Sequence, residues 1–408
     1  MKKTLIAFAA LSAIAGMAQA QSTVTLYGLL DANVGATKTN VLASGVYGSQ
    51  RNTIVGSGGL NGSRFGFRIT EDLGGGLAAI GNLEGGVNLD TGASGQGALF
   101  GRQANVGLAS ASLGTLTIGR NKTPYYDLHG SVGLRESAFD TTSNTNFGTV
   151  GNYNPGAIAA AGTTAATSGA QNSAYLLSNH GAAAGSTPNA ATWLGFNARL
   201  NNSIRYTSPS FSGFSVAGIY GFGEDKTSAQ KASETYGATA TYANGPIMAY
   251  LGFQSDGYAR AAGVARQSLE NVLVGASYDF GVAKVGANYN RAKLKNVTAS
   301  GFLNGNGFVN GAAGGSIDPQ KEYGFSVSVP FGATVVEANY GQSKGDTLGK
   351  STGYGIQALY SLSKRTTLYT GFSSVKAYDR LAQLTVNALP GSSIERNQFF
   401  AAGVRHTF

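Results

Sequence analysis

YGFSVSVPFGATVVEANYG, Tyr323 to Gly341, holds two runs of alternating character joined at Pro330-Phe331-Gly332-Ala333-Thr334. In the first run Tyr323, Phe325, Val327, Val329 and Phe331 share one parity, while Gly324, Ser326 and Ser328 share the other. A period of two is that of a β-strand, so one face is apolar and the opposite face is small and polar. A second stretch, SRFGFRIT from Ser63 to Thr70, repeats the pattern with Phe65, Phe67 and Ile69 on one face and Arg64, Gly66 and Arg68 on the other.

The same unit recurs from Thr23 to the end. Strands of about ten residues are predicted over 23–35, 63–71, 77–88, 100–110, 115–122, 202–208, 213–223, 234–243, 246–255, 269–280, 282–293, 321–330, 333–343, 351–361, 366–376 and 397–408. Short connections such as EDLGGGL, ANGP and PFGAT alternate with longer, glycine-rich polar ones. Sixteen antiparallel strands with tight turns at one rim and long loops at the other describe a closed transmembrane barrel. Only helices and closed barrels satisfy every backbone group in lipid, and no segment after Ala20 is long and apolar enough for a membrane helix. The apolar parity then meets lipid, and the arginine-bearing parity meets a water-filled lumen.

Composition agrees with that architecture. Of 408 residues 12% are charged, 61 are glycine, and none is cysteine, so backbone pairing must replace disulfides. Aromatics gather at strand ends, with Phe211, Phe214, Tyr242, Tyr278, Phe280, Phe331, Tyr360 and Phe408 beside the short turns. Tyr220, Phe253, Tyr289, Tyr340 and Phe372 lie towards the long loops, which makes two interfacial girdles. The opening MKKTLIAFAALSAIAGMAQA has a basic start, an apolar run and Ala18-Gln19-Ala20, so residues 1–20 read as a cleaved signal peptide and 21–408 as the barrel. Of 29 basic residues, removing Lys2 and Lys3 leaves 27 against 20 acidic, a net charge of +7. These charges are scattered, which argues against nucleic acid as a partner.

One connection is out of scale. Residues 121–201 separate two strands, far more than an ordinary loop. The first part carries Asp127, Arg135, Glu136 and Asp140, whereas 148–198 contains no charged residue. SRFGFRITEDLGGGL, LGTLTIGRN, NNSIRYTSPSFSGFSV and the closing GVRHTF together resemble a general porin of the Gram-negative family, of the betaproteobacterial and neisserial type. The resemblance spans nearly all of 21–408. It implies an all-β, 16-stranded antiparallel barrel in the outer membrane, with the long third external loop folded into the lumen.

It also implies a homotrimer, contact with outer-membrane lipid and lipopolysaccharide, and delivery by the barrel assembly machinery, with Phe408 in the terminal assembly signal. No cofactor is implied. Carried over by position, the basic wall of the constriction is Arg64, Arg68, Arg102, Arg199 and Arg205, faced by the loop acids Asp127, Glu136 and Asp140. Alternation alone would send Arg102 outward with Ala104, Val106 and Leu108, whereas the resemblance places it inside; Arg120, sharing parity with Leu116 and Ile118, is expected at the rim or in a subunit contact. Gly28, tiny and outward, is expected to suit contact between subunits. The expected activity is passive diffusion of small hydrophilic solutes and ions, with a weak anion preference because the arginines outnumber the acids.

Other chemistries find little support. GQSKG, Gly341 to Gly345, matches the esterase pattern but ends a strand without a following helix, and His129, His180 and His406 offer no obvious partner. No metal-binding spacing occurs. A substrate-specific pore would need a dedicated track or site, and a non-conducting structural or adhesive barrel would need large interlocked side chains in its lumen.

Overall fold

The computed structural model describes residues 22–43, 46–96, 98–134, 137–142, 192–193, 195–224, 226–228, 230–257, 260–261, 263, 266, 268–295, 319–346, 349–376, 379 and 392–408. The expected signal peptide, Glu136 and most of the neutral stretch 148–198 lie outside the described residues.

Sixteen wall strands run in chain order. They are β1 (Thr23–Ala43), β2 (Val46–Ser57 continued by Arg64–Gly74), β3 (Leu77–Val87), β4 (Gln103–Ser110), β5 (Gly114–Lys122), β6 (Arg199–Thr207), β7 (Phe214–Gly221) and β8 (Thr235–Asn244). The circuit continues through β9 (Ile247–Gly257), β10 (Ser268–Asp279), β11 (Lys284–Lys295), β12 (Gln320–Phe331), β13 (Thr334–Gly345), β14 (Gly349–Ser361), β15 (Thr366–Lys376) and β16 (Ser392–Thr407). Each pairs antiparallel with its neighbours, and β1 pairs with β16 from Leu29–Thr407 to Ala43–Ser392, closing the barrel. The described residues contain no helix long and apolar enough to cross a membrane.

Alternation governs the wall. Along β10, Val272, Val274 and Tyr278 are exposed while Asn271, Leu273, Gly275 and Ser277 are buried. The exposed parity of the other strands is likewise apolar, as in Val106, Ile118, Val216, Leu251, Phe325 and Ile356. Two-residue turns close several hairpins, and they require a left-handed residue that glycine supplies without strain. Gly245 (φ 56°) and Gly332 (φ 62°) serve that purpose.

The first hairpin is longer than expected. Residues 36–62 were expected to form an external loop, but β1 runs on to Ala43 and pairs with Val46–Ser57 in continuous register. The middle of this extension, Thr37 to Asn40 paired with Ser49 to Asn52, is polar on both parities, so the apolar alternation that reveals a strand facing lipid is interrupted there. At 58–63 the wall of β2 breaks and turns inward. There the buried Asp31 carboxylate accepts the N–H groups of Gly59, Leu60 and Asn61 and the Tyr369 hydroxyl at 2.5 to 3.0 Å.

Gly28 shares the outward parity of exposed Leu26 and Leu30. It is buried against the chain's own terminus, its N–H and carbonyl both bonded to Phe408 at 3.1 Å. A Cβ at Gly28 would stand 2.2 Å from the Phe408 ring. Its small size admits that ring, an intramolecular reason for glycine that local alternation does not disclose.

Candidate functional site

The segment after β5 begins with a short helix, α1 (Pro124–His129), whose N-cap Thr123 hydroxyl accepts the Tyr126 N–H. Proline at its start needs no hydrogen-bonded N–H there. The described parts of the segment lie against the buried parity of the wall. The Tyr125 hydroxyl donates to Asn290 Oδ1 (2.9 Å), Gly133 N–H to Ser326 Oγ (3.1 Å), and Trp193 Nε1 to the Tyr323 carbonyl (3.2 Å). Two apolar clusters form at this contact. One joins Tyr125, Tyr126, Leu128, Val132, Trp193 and Phe196 to Tyr250 and Leu273 of the wall. The other joins Leu134, Ala138 and Phe139 to Leu60, Tyr369, Phe399 and Ala401.

Phe139 is fully buried, its ring stacked on Phe399 with centroids 5.5 Å apart. Wall glycines make its seat: a Cβ at Gly371 would come within 2.6 Å of the ring, and one at Gly355 within 1.8 Å of the Phe139 carbonyl. Ala138 N–H donates to the Gly59 carbonyl, so the inward turn held by Asp31 also carries the segment. His129 packs edge-on against Trp193 and beside Phe196. Burial there lowers its pKa to about 4.

The expected arginines fall into two groups. Arg64 and Arg68 alternate on the inward parity of β2, and the Arg68 guanidinium lies 4.1 Å from the centroid of the Tyr27 ring. Arg102 precedes β4, where strand alternation does not govern it; it is buried and donates from Nε to Glu84 Oε1 at 2.6 Å. Tyr27 bridges the cluster by donating to Asn82 Oδ1 and Glu84 Oε2, both at 3.0 Å. Arg405 of β16 stands nearby, donating to Asn61 Oδ1 (2.9 Å) and Thr367 Oγ1 (3.2 Å).

The second group sits at the foot of α1. Arg205 donates to Asp127 Oδ2 at 2.8 Å, and Lys122 reaches Asp127 Oδ1 at 2.5 Å. Arg199 is separated from Arg205 by a register shift where Asn202 adopts φ 48°. Its guanidinium lies 5.2 Å from the centroid of the Tyr126 ring. Arg120 does not project freely outward as alternation suggests, because its guanidinium donates to the Gly101 carbonyl (2.7 Å) and to Asn201 Oδ1.

The loop acids differ from one another. Asp127 is partly exposed and ion-paired, whereas Asp140 is buried and accepts the N–H groups of Leu134 and Thr142, the Thr142 hydroxyl and the Asn339 amide. Sequence reasoning passed over Glu84, Tyr27, Lys122 and Arg405. Glu84 shares the parity of Asn82, and Arg405 that of Gly403 and Thr407, so alternation in NLEGGV and GVRHTF carried a usable signal. Among the described residues no cluster of His, Asp and Glu could hold a metal ion.

With this geometry in view, known proteins supply the comparison. The family described as Gram-negative porin matches residues 7–379. Outer membrane porin protein 32 of Delftia acidovorans is 30% identical over 417 residues, covering all of both chains. An outer membrane porin protein of Bordetella pertussis is 29% identical over 449 residues, again across all of both. The solved anion-selective porin from Comamonas acidovorans superposes with a TM-score of 0.66 at 26% identity, covering 95% of this chain and 100% of that one. Closed barrel, alternating wall and full-length relatives agree: the chain belongs to the Gram-negative porin family and is a protein of the outer membrane.

Proposed function

We propose that this porin is a passive, water-filled channel for small hydrophilic solutes and ions, weakly selective for anions. The segment 121–201 narrows its lumen, with no cofactor or energy input. The observation that carries the reading is the uneven fate of the charges. Arg64 and Arg68 sit on the lumen parity, and Arg68 is exposed there against an aromatic ring rather than a carboxylate. Meanwhile Asp140 is buried in hydrogen bonds and Asp127 is occupied by Arg205 and Lys122. Glu84 neutralises Arg102 and tempers the bias, so the preference is weak. A surplus of one sign along a narrow pore raises the local concentration of the opposite ion. The anion-selective Comamonas relative supports the same sign.

Residues 1–20 are proposed to direct export, the terminal Phe408 to guide assembly, and the working unit to be a homotrimer. Reconstitution into planar bilayers tests the reading: stepwise, ohmic conductance is expected, and a barrel that inserts yet never conducts overturns it. Unheated detergent gels should show a trimer, and monomer alone would contradict the assembly.

A further inference from the structure

Tyr27 of β1 lies between an exposed arginine and a buried carboxylate that the strand register would otherwise bring together. Register sets Tyr27 opposite Gly66 of β2 and Gly66 opposite Glu84 of β3, with Arg68 the next residue of β2 on the same parity. Arg68 and Glu84 are therefore diagonal neighbours on adjacent strands, about 7 Å apart at Cβ and within reach of a long side chain. Opposite charges so placed ordinarily pair. Among the described residues Arg68 meets no carboxylate, and its guanidinium lies 4.1 Å from the centroid of the Tyr27 ring.

The ring reaches this place because Gly66 has no side chain. A Cβ at Gly66 would stand 3.0 Å from both Cζ and the hydroxyl of Tyr27, so the ring crosses β2 over bare backbone to reach β3. There the hydroxyl lies 3.0 Å from Asn82 Oδ1 and 3.0 Å from Glu84 Oε2. Glu84 Oε1 is taken by Arg102 Nε at 2.6 Å. Both carboxylate oxygens are engaged, and the ring face offers the guanidinium a partner that carries no net charge. A guanidinium stacked on a neutral ring keeps its full charge and its in-plane donors for the lumen. Paired with Glu84 it would give up both.

We propose that Tyr27 is a positioning residue for ion selectivity: its ring separates Arg68 from Glu84 and holds the guanidinium uncompensated in the lumen. Gly66 lets the ring cross. The effect on ion flow rests on the anion-selective reading, whereas the placement of Arg68 is independent of it.

The test reads the zero-current potential of the assembled porin in a potassium chloride gradient, together with crystal structures of the variants. Tyr27→Leu removes the ring face, so Arg68 should swing to within ion-pair distance of Glu84 and the potential should move towards cations. The move should be smaller than that of Arg68→Gln, because the charge is displaced and not removed. Tyr27→Phe keeps the face and should move less than Tyr27→Leu. A double-mutant cycle isolates the positioning: Tyr27→Leu should have no further effect in an Arg68→Gln or a Glu84→Gln background, whereas a merely structural role for the ring would shift all three alike. Should Tyr27→Leu fail to assemble, Arg68→Lys keeps the charge but gives up the planar stack, and its potential should lie between those of wild type and Arg68→Gln. A Tyr27→Leu structure in which Arg68 stays clear of Glu84 overturns the proposal. So does an equal shift in the Glu84→Gln background, or a wild-type potential in the variant that assembles. Failure of the anion-selective reading shows separately, as a cation-selective wild type, and the distance from Arg68 to Glu84 then decides the placement by itself.

Discussion

Phe139→Ala should widen the channel without unfolding the barrel. The ring is fully buried between Phe399 and Tyr369 at the point where the inserted segment meets β15 and β16. Emptying such a site costs about 3 to 5 kcal/mol, which lowers the docking equilibrium of the segment by a factor of about a hundred to a few thousand. The wall offers a complementary perturbation. Gly371→Ala leaves the segment untouched but sets a methyl within 2.6 Å of the Phe139 ring, which must then leave its seat. Both variants should show larger and noisier single-channel conductance, and liposome swelling should reveal entry of larger oligosaccharides. Unheated gels should still report an intact barrel, since the sixteen-strand ladder is untouched. Wild-type conductance and an unchanged size limit in both variants would refute the view that this contact sets the width of the pore.

Asp127→Asn should strengthen the anion preference, because Arg205 and Lys122 lose their shared counter-charge; a reversal potential moving towards cations contradicts this. Docking of the segment should weaken below neutral pH. The undocked His129 takes up a proton near pH 6.5 while the docked form resists until about 4, so its contribution is complete above 6.5 and is lost as pH falls through that window. The slope is about 1.4 kcal/mol per pH unit, and His129→Phe should flatten the pH dependence of conductance noise between 6.5 and 4. Gly28→Val should impair assembly as deletion of Phe408 does, since its side chain displaces the terminal ring; normal yields of heat-modifiable barrel from both would dismiss that role.

Sixteen strands and their short turns were legible because lipid on one side and water on the other impose strict alternation, as in Tyr323 to Phe331. The signal fades wherever one of those solvents is missing. In the first hairpin Thr37, Lys38, Thr39 and Asn40 pair with Asn52, Arg51, Gln50 and Ser49, so both parities are polar there and no alternation reveals the strands. Arg102 sits one residue before its strand, and Asn202 shifts the register between Arg199 and Arg205, so parity counting cannot place them. Asp140 and Asp127 look alike in the sequence. Asp140 gathers the nearby Leu134 and Thr142 together with Asn339 of the wall, some two hundred residues away, and is buried, whereas Asp127 stays partly exposed beside Arg205. Long-range packing of this kind leaves no local pattern.

The central claim is that the inward parity opened by Arg64 and Arg68 sets the sign of ion selectivity. Its most direct test is the zero-current potential across a bilayer holding the protein in a potassium chloride gradient, compared with Arg64→Gln/Arg68→Gln. Wild type should give a small potential of the anion-selective sign that shrinks as salt rises and the Debye length falls below about 8 Å. The double variant should move towards cations with its trimer and conductance intact. A cation-selective wild type, or a double variant with the wild-type potential, would contradict the account.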